Sequence, residues 1–215
     1  IAWSESPEGP FEELQDHPFV GAGYGGVGDG VFEWADTDTP AWDFEEKSID
    51  AFVLEASDGS LTFYATQYTP LSSIIAIPMT DLRILAPEGL TVIISPDLNS
   101  WEQTITEGPW VNEVNGRFLL TYSGSGADRP MYSLGAAVAD SPLGPFTRTP
   151  ESPFLVPDFE NGFYGPGHHS IVEGPCGELL LFYHTKTVPE IGWDRRLRVT
   201  PITLHDTEVI LPPLR

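Results

Sequence analysis

Residues 110–122 read Trp-Val-Asn-Glu-Val-Asn-Gly-Arg-Phe-Leu-Leu-Thr-Tyr, which is a strand, a turn and a second strand. The Asn115-Gly116 pair favours a two-residue hairpin turn, because glycine adopts positive φ without steric cost. Residues 52–64 and 170–183 repeat this arrangement, each around a turn glycine. Elsewhere, short β-branched and aromatic runs alternate with turn residues, and the chain contains 21 glycines and 21 prolines. The sequence therefore predicts an all-β protein.

The hairpins recur at nearly equal intervals along the chain. The turn glycines Gly59, Gly116 and Gly177 are separated by 57 and 61 residues. A second phrase also recurs, since Ser6-Pro-Glu-Gly-Pro-Phe11 returns as Ser141-Pro-Leu-Gly-Pro-Phe146. A period of about 59 residues with several short strands is typical of a propeller blade, and the chain holds about 3.6 such periods. We therefore expect a β-propeller with about three and a half to four blades in this chain.

Composition excludes several classes of partner. The chain has 32 acidic and 10 basic residues, a formal charge of −22. This excludes nucleic acid, because binding phosphates needs a basic face, and it disfavours an anionic membrane surface. No apolar run approaches the roughly 20 residues of a membrane span, and no leader segment opens the chain. Cys176 is the single cysteine. No linker divides the sequence, so we expect one domain over residues 1–215. We expect the protein to be either secreted or cytoplasmic.

Three ionisable residues precede the hairpins at the same distance. Asp50, Glu107 and His168 each lie nine residues before a turn glycine. The innermost strands of a propeller line its central channel, so we expect these three side chains to converge there. A capped strand end or a satisfied hydrogen bond would explain one such residue, but three at one position favour a shared site.

Two carboxyl groups that face one cavity are typical of a site that hydrolyses a glycosidic bond. Burial and nearby negative charge raise the pKa of one carboxyl group, which keeps it protonated near neutral pH. Glu107 is the candidate proton donor, and Asp50 is the neighbour that orients it and adjusts its pKa. Trp110 is a candidate substrate contact, because the apolar C–H faces of sugars pack on aromatic rings.

These motifs resemble glycoside hydrolase family 43. The resemblance runs from about residue 1 to about residue 203 and rests on an ordered set of motifs, namely Ser48-Ile-Asp50, Glu107-Gly-Pro-Trp110 and Gly165-Pro-Gly-His-His-Ser170. The repeated Ser-Pro-x-Gly-Pro-Phe phrases look like the family's blade ends. The resemblance implies a five-bladed β-propeller and an inverting glycosidase that acts on glycans containing arabinose or xylose, as an α-L-arabinofuranosidase or a β-xylosidase. Ala51 stands where the family more often has proline.

The resemblance also implies roles for individual residues. Glu107 would be the general acid, and Asp50 would adjust its pKa. His168 would help to hold a cation, commonly calcium, at the channel centre, and no organic cofactor is implied. An arginine near the C-terminus would reach the active site; Arg195 is the best positional match, with Arg196 or a solvated charge cluster as alternatives.

Two further residues are candidate substrate contacts. His169 follows the presumed metal-site histidine directly, and the alternative is a packed or hydrogen-bonded histidine. Trp42 lies in a predicted loop where it would wall a sugar subsite, and the alternative is ordinary loop packing.

The general base has no clear counterpart in the pattern. The resemblance implies an aspartate in the first blade, well upstream of Asp50, and only 49 residues precede Asp50. Four aspartates lie in that stretch, none at the special position of the repeat: Asp29, Asp36, Asp38 and Asp43. We therefore expect the base to lie upstream of Ile1 in a protein whose N-terminal blade this chain lacks.

The substrate would be an oligosaccharide or polysaccharide, and the alternative to an enzyme is a non-catalytic carbohydrate-binding or interaction propeller.

Overall fold

The computed structural model describes residues 2–13, 47–68, 71–82, 84–86 and 89–212. The secondary structure in these ranges is built from β-strands, with no α-helix, so the all-β prediction is confirmed for this part of the chain. The first two strands, β1 (Ala2–Trp3) and β2 (Glu12–Glu13), form a short antiparallel pair. No described segment is a helix long and apolar enough to cross a membrane.

The first complete sheet, called blade A, is antiparallel and has five strands. They are β3 (Lys47–Glu55), β4 (Leu61–Tyr68), β5 (Ser72–Asp81), β6 (Ile84–Leu85) and β7 (Thr91–Ile94). The order is β3-β4-β5, and β6 and β7 both pair with the outer edge of β5, one after the other. β6 and β7 therefore share the fourth position of the blade.

Two four-stranded antiparallel sheets follow, with their strands in sequence order. Blade B contains β8 (Thr106–Val114), β9 (Arg117–Gly124), β10 (Ser133–Ala139) and β11 (Thr147–Arg148). Blade C contains β12 (Tyr164–Glu173), β13 (Leu179–Lys186), β14 (Arg195–His205) and β15 (Glu208–Ile210). The first strands of the three blades are neighbours, because β8 contacts both β3 and β12. The described residues thus form three blades and the β1–β2 pair.

The three predicted hairpins are present at the start of the blades. Asn115 and Gly116 form the two-residue turn between β8 and β9, with φ of 52° and 76°. Positive φ at both positions is what a type I′ turn requires, which explains the Asn-Gly sequence. In blades A and C the turn spans five residues, and its fourth residue is Gly59 or Gly177, with φ of 82° and 80°.

Apolar side chains fill the spaces between adjacent blades. The cluster between blades A and B includes Leu54, Tyr64, Ile74, Val111, Leu120 and Tyr122. The cluster between blades B and C contains Leu134, Leu155, Ile171, Leu181, Tyr183 and Ile202. Burying one large aliphatic side chain contributes about 1.5–3 kcal/mol. These two clusters hold the first strands of the blades in a fixed relation to each other.

The repeated Ser-Pro-x-Gly-Pro-Phe phrase has the same conformation at both of its positions. In each copy the glycine N–H donates to the serine carbonyl oxygen at 3.0 Å, the glycine φ is 83°, and the Gly–Pro bond is cis. The phenylalanines differ, because Phe146 is buried in the cluster between blades A and B while Phe11 is 60% exposed. The sequence repeat is therefore also a structural repeat.

Candidate active site

The first strand of each blade contains a β-bulge at the same place. The pairing shifts between Ile49 and Phe52 in β3, between Glu107 and Trp110 in β8, and between Gly167 and Ser170 in β12. One residue of each bulge has positive φ: Asp50 at 59°, Gly108 at 60° and His168 at 48°. Bulges change the direction of a side chain and are frequent next to active sites, and a non-glycine residue at positive φ is held there by its surroundings. The bulges therefore bring this part of the three strands together.

The position of Glu107 in its strand differs by one residue from the predicted equivalence with Asp50 and His168. Asp50 and His168 occupy the positive-φ position of their bulges, whereas Gly108 does so in β8, and Glu107 precedes it. The prediction counted residues from the turn glycine, but the β8–β9 turn has two residues where the other two turns have five. Glu107 nevertheless lies in the same site, because the neighbouring Gly108 contacts Asp50 directly.

Asp50 is held by hydrogen bonds to its Oδ2 atom. This oxygen accepts from the Gly108 backbone N–H at 3.0 Å and from the Thr66 hydroxyl at 3.1 Å. The Gly108 N–H also lies 3.2 Å from the Thr66 hydroxyl oxygen. Since Gly108 follows Glu107 in β8, these contacts fix the position of the Glu107 carboxyl group relative to that of Asp50.

Glu107 is a buried carboxyl group with two tyrosine donors. Only 6% of the residue is exposed. The Tyr132 hydroxyl donates to its Oε1 at 2.5 Å, and the Tyr68 hydroxyl donates to its Oε2 at 3.2 Å. Burial raises the pKa of Glu107, and the charge of Asp50 raises it further, while the Tyr132 hydrogen bond and His168 oppose the increase. The net effect is a raised pKa, which is what a general acid requires near neutral pH.

His168 lies between Asp50 and the buried Tyr132. Its Nε2 is 3.6 Å from Asp50 Oδ1, and its Nδ1 is 3.5 Å from the Tyr132 hydroxyl oxygen. Its backbone N–H donates to the Ser123 hydroxyl at 2.9 Å, and 43% of the side chain is exposed. The structure thus brings Asp50, Glu107 and His168 into one site, as the spacing predicts.

Tyr132 is the main functional residue that the sequence patterns do not show. It is fully buried, and its ring occupies the space where a side chain at Gly167 would be, 2.1 Å from the Cβ position. The His184 ring stacks on it, with centroids 5.5 Å apart and planes at 11°. Tyr132 lies in the connection between β9 and β10, outside the three hairpins that the sequence repeat shows, and Gly167, which leaves room for its ring, is the sequence signal for it.

Arg195 is connected to this site through His184. Its Nη1 donates to His184 Nε2 at 3.3 Å, and its guanidinium lies 5.2 Å from the Trp193 ring centroid. Burial, helped by the charge of Arg195, lowers the pKa of His184 to about 3, so the ring stays neutral. Arg195 therefore contacts the group that supports Tyr132, whereas Arg196 lies on the opposite side of β14, at a cleft described below.

Two predicted substrate contacts, Trp110 and His169, have neighbours inside the protein. Trp110 lies against Phe52, with ring centroids 4.5 Å apart, and contacts the cluster between blades B and C. His169 is buried, and its Nε2 is 2.6 Å from the Thr121 hydroxyl oxygen. Burial lowers the pKa of His169 to about 3. Both side chains make internal contacts, and their roles as substrate contacts stay predictions.

The remaining predicted residues near the N-terminus lie outside the described residues. These are the predicted substrate contact Trp42 and the aspartates considered as the general base, Asp29, Asp36, Asp38 and Asp43. The role of Trp42 as a substrate contact and the identity of the general base therefore stay predictions.

A calcium ion, which the resemblance implies, finds few ligands among the described residues. Ca²⁺ prefers about six to eight oxygen ligands, whereas His168 offers a nitrogen. Asp50 is the nearest carboxylate to it, and one of its oxygens already accepts two hydrogen bonds. In the described ranges no three His, Cys, Asp or Glu side chains are placed to share a metal ion. These residues alone do not fit a calcium shell, so calcium stays a prediction that needs water or other ligands.

Two neighbouring carboxyl groups, one of them buried, are typical of glycoside hydrolases. The sequence pattern of glycosyl hydrolases family 43 matches residues 1–209. The chain belongs to this family, and the resemblance drawn from its motifs is confirmed.

Characterised relatives match the chain over part of their own length. A β-D-galactofuranosidase of Aspergillus niger is 24% identical over 208 residues, which is 96% of this chain and 52% of the relative. An α-L-arabinofuranosidase of Humicola insolens is 34% identical over 134 residues, which is 55% of this chain and 27% of the relative. The chain thus spans about half, or less, of the length of these relatives.

Solved structures show the same fold over nearly the whole chain. An endo-1,4-β-xylanase from Bacteroides thetaiotaomicron superposes with a TM-score of 0.81 at 26% identity, covering 99% of this chain and 66% of that one. A thermostable family-43 glycoside hydrolase gives 0.79 at 28% identity, covering 98% and 64%. The predicted fold, of the five-bladed β-propeller type, is confirmed.

Proposed function

We propose that the protein is a glycosidase and that Glu107 is its general acid. The observation that carries this proposal is a buried carboxyl group with a raised pKa, next to a second carboxylate that is fixed by three neighbouring groups. Such an acid donates its proton to the oxygen of the departing sugar. Asp50 keeps that proton on Glu107 up to a higher pH, because ionising both groups at close range is unfavourable.

The reaction proceeds with inversion in this proposal. An inverting glycosidase needs a second carboxylate about 6.5–9.5 Å from the acid, which activates a water molecule on the opposite face of the sugar. Asp50 accepts hydrogen bonds from Gly108 and Thr66, so it orients the site rather than activating that water. The base is an aspartate outside the described residues.

The substrate is a glycan that carries arabinose or xylose, attacked at an α-L-arabinofuranosyl or β-xylosyl bond. Three curated relatives are named as α-L-arabinofuranosidases, and the most similar structure described above is named as an endo-xylanase. Arg195 belongs to the binding site, where His184 and the Trp193 ring hold its guanidinium in place. A guanidinium so held donates to sugar hydroxyl groups.

The test compares the wild-type chain with Glu107→Gln on chromogenic α-L-arabinofuranoside and β-D-xyloside. We expect the variant to lose about 100- to 10,000-fold in kcat, because glutamine cannot donate the proton. Glu113→Gln is the matched control, since Glu113 lies in the same strand but binds Ser57 at the surface. An unimpaired Glu107→Gln variant would refute the assignment.

The alternative function, a carbohydrate-binding propeller without catalysis, is tested by the same preparation. A folded wild-type chain that binds arabinoxylan oligosaccharides but turns over neither substrate supports it. The same assay on a longer chain that includes a further blade then separates a binding protein from a partial enzyme.

A further inference from the structure

We propose that blade C carries a second glycan-binding site, a cleft that binds a sugar with a carboxylate group, such as a uronic acid residue. The cleft has a volume of about 610 Å³ and lies where β13 and β14 meet the loop before β12. Its polar lining consists of Asp158, Asn161, Tyr183, Arg196, Arg198 and Thr200. The inference rests on the proposed function, because it assumes a glycan as the ligand of the protein.

The cleft is separate from the candidate active site because of the geometry of β14. Successive side chains of a strand point to opposite faces, and residues two apart share a face. Arg195 contacts His184 on one face, whereas Arg196 and Arg198 line the cleft on the other. One strand therefore serves two sites.

The two cleft arginines have no carboxylate partner among the described residues. Arg198 donates from Nε to the Thr185 hydroxyl at 3.2 Å, and no carboxylate of a described residue lies within 4.0 Å of either guanidinium. Arg117, Arg148 and Lys186 form ion pairs with Asp140, Glu102 and Asp194, whereas Arg129 contacts the Gln103 side chain and Arg195 contacts His184. In a chain with a formal charge of −22, the cleft thus brings together two guanidiniums that have no carboxylate partner among the described residues. They attract an anion that the rest of the surface repels.

The other polar groups of the cleft suit a sugar rather than a simple ion. The Tyr183 and Thr200 hydroxyl groups lie 3.2 Å apart and present further donors and acceptors beside the arginines. Asp158 accepts from the Asn161 backbone and side chain at 3.2 and 2.6 Å, so its charge is held at one end of the cleft. Asp158 supplies one negative charge and the two guanidiniums supply two positive charges, so the described lining of the cleft has a net positive charge.

The chemical class of the ligand follows from this combination. A guanidinium binds a carboxylate through two parallel hydrogen bonds, which gives direction as well as affinity. A cleft of this volume is within the range of small-molecule sites, about 300–1,000 Å³, and has room for a sugar ring. The carboxylate of the sugar would bind Arg196 and Arg198, and its hydroxyl groups would bind Tyr183, Thr200 and Asn161.

The experiment titrates the 215-residue chain with methyl β-D-glucuronide and follows amide shifts by NMR. Methyl β-D-glucoside is the neutral control of the same shape, and sodium sulfate is the anion without a sugar. We expect the glucuronide to bind at least about tenfold more tightly than either, because only it uses both the charge and the hydroxyl groups. The double variant Arg196→Gln/Arg198→Gln should lose this preference, while Arg117→Gln, an exposed arginine in blade B, should keep it.

Three outcomes would overturn the proposal: no glucuronide binding to the folded wild type, equal binding of the glucoside or of sulfate, or unchanged binding by the double variant. A thermal melt of the double variant checks that it folds, and Arg196→Lys/Arg198→Lys, which keeps the charge but not the two-pronged geometry, should bind with intermediate affinity. Glu107→Gln should bind the glucuronide like wild type. Unimpaired turnover by Glu107→Gln with intact glucuronide binding would thus refute the general-acid assignment alone, and lost turnover by Glu107→Gln with no glucuronide binding to the wild type would refute the second site alone.

Discussion

Replacing Tyr132 with phenylalanine tests whether a buried hydroxyl group controls the proton on Glu107. The change removes a donor 2.5 Å from Glu107 Oε1 and leaves the ring, its stacking on His184 and its contact with Gly167 in place. A hydrogen bond to a charged group contributes about 1.5–3 kcal/mol, and 1.36 kcal/mol corresponds to a tenfold change in an ionisation constant. Tyr132 is fully buried, so water does not replace the lost donor. We therefore expect the ionisation constant of Glu107 to fall about ten- to hundredfold.

The sign of the effect determines the assay. The Tyr132 hydrogen bond lowers the pKa of Glu107, so its removal raises that pKa further. The acid then stays protonated to higher pH, and the alkaline limb of the kcat/KM profile should move upward by about one to two pH units. NMR of the ¹³C-labelled glutamate carboxyl groups gives the same quantity without turnover. Tyr164→Phe is the control, since Tyr164 packs on Phe159. An alkaline limb that stays in place, or moves down, would refute the reasoning.

Three further changes test the rest of the site and its support. Asp50→Asn should move the alkaline limb downward, because the charge of Asp50 raises the pKa of Glu107; an upward movement in the pH–rate profile would contradict this. Gly167→Ala should destabilise the fold by about 1–3 kcal/mol, because its methyl group would overlap the Tyr132 ring, and urea unfolding at wild-type stability would show that the ring has room to move. Arg148→Met should cost about 3 kcal/mol in the same assay, because it leaves the fully buried Glu102 without its ion-pair partner, and a loss below about 1 kcal/mol would mean that the remaining donors suffice.

The hairpins and the blade repeat were predictable because they depend on local chemistry. Asn115-Gly116 forms the expected turn, since its two positive φ values belong to those residue types and need no tertiary contact. The repeated Ser-Pro-x-Gly-Pro-Phe phrase likewise has one conformation at both positions. Repeats of this kind report the length of one blade, which is why a propeller was predictable from the sequence.

The roles of individual aromatic and imidazole side chains were less predictable. Trp110 is a predicted sugar contact because of its flat apolar ring, and in the structure this ring lies against Phe52. His169 and His168 are adjacent in sequence, yet one is buried against Thr121 and the other lies beside Asp50. Position along a strand does not distinguish these cases, because a bulge changes which face each side chain occupies.

The sequence by itself determined the all-β class, the blade repeat, the family and the two carboxyl groups, because turn chemistry and motif order are properties of short segments. Only the tertiary structure decided why the pKa of Glu107 is raised. Its pKa depends on burial, on the Asp50 charge from a neighbouring blade and on the Tyr132 hydroxyl, which comes from 25 residues further along the chain. These effects act through space at a few ångströms, so they follow from the packing of three blades rather than from any one segment.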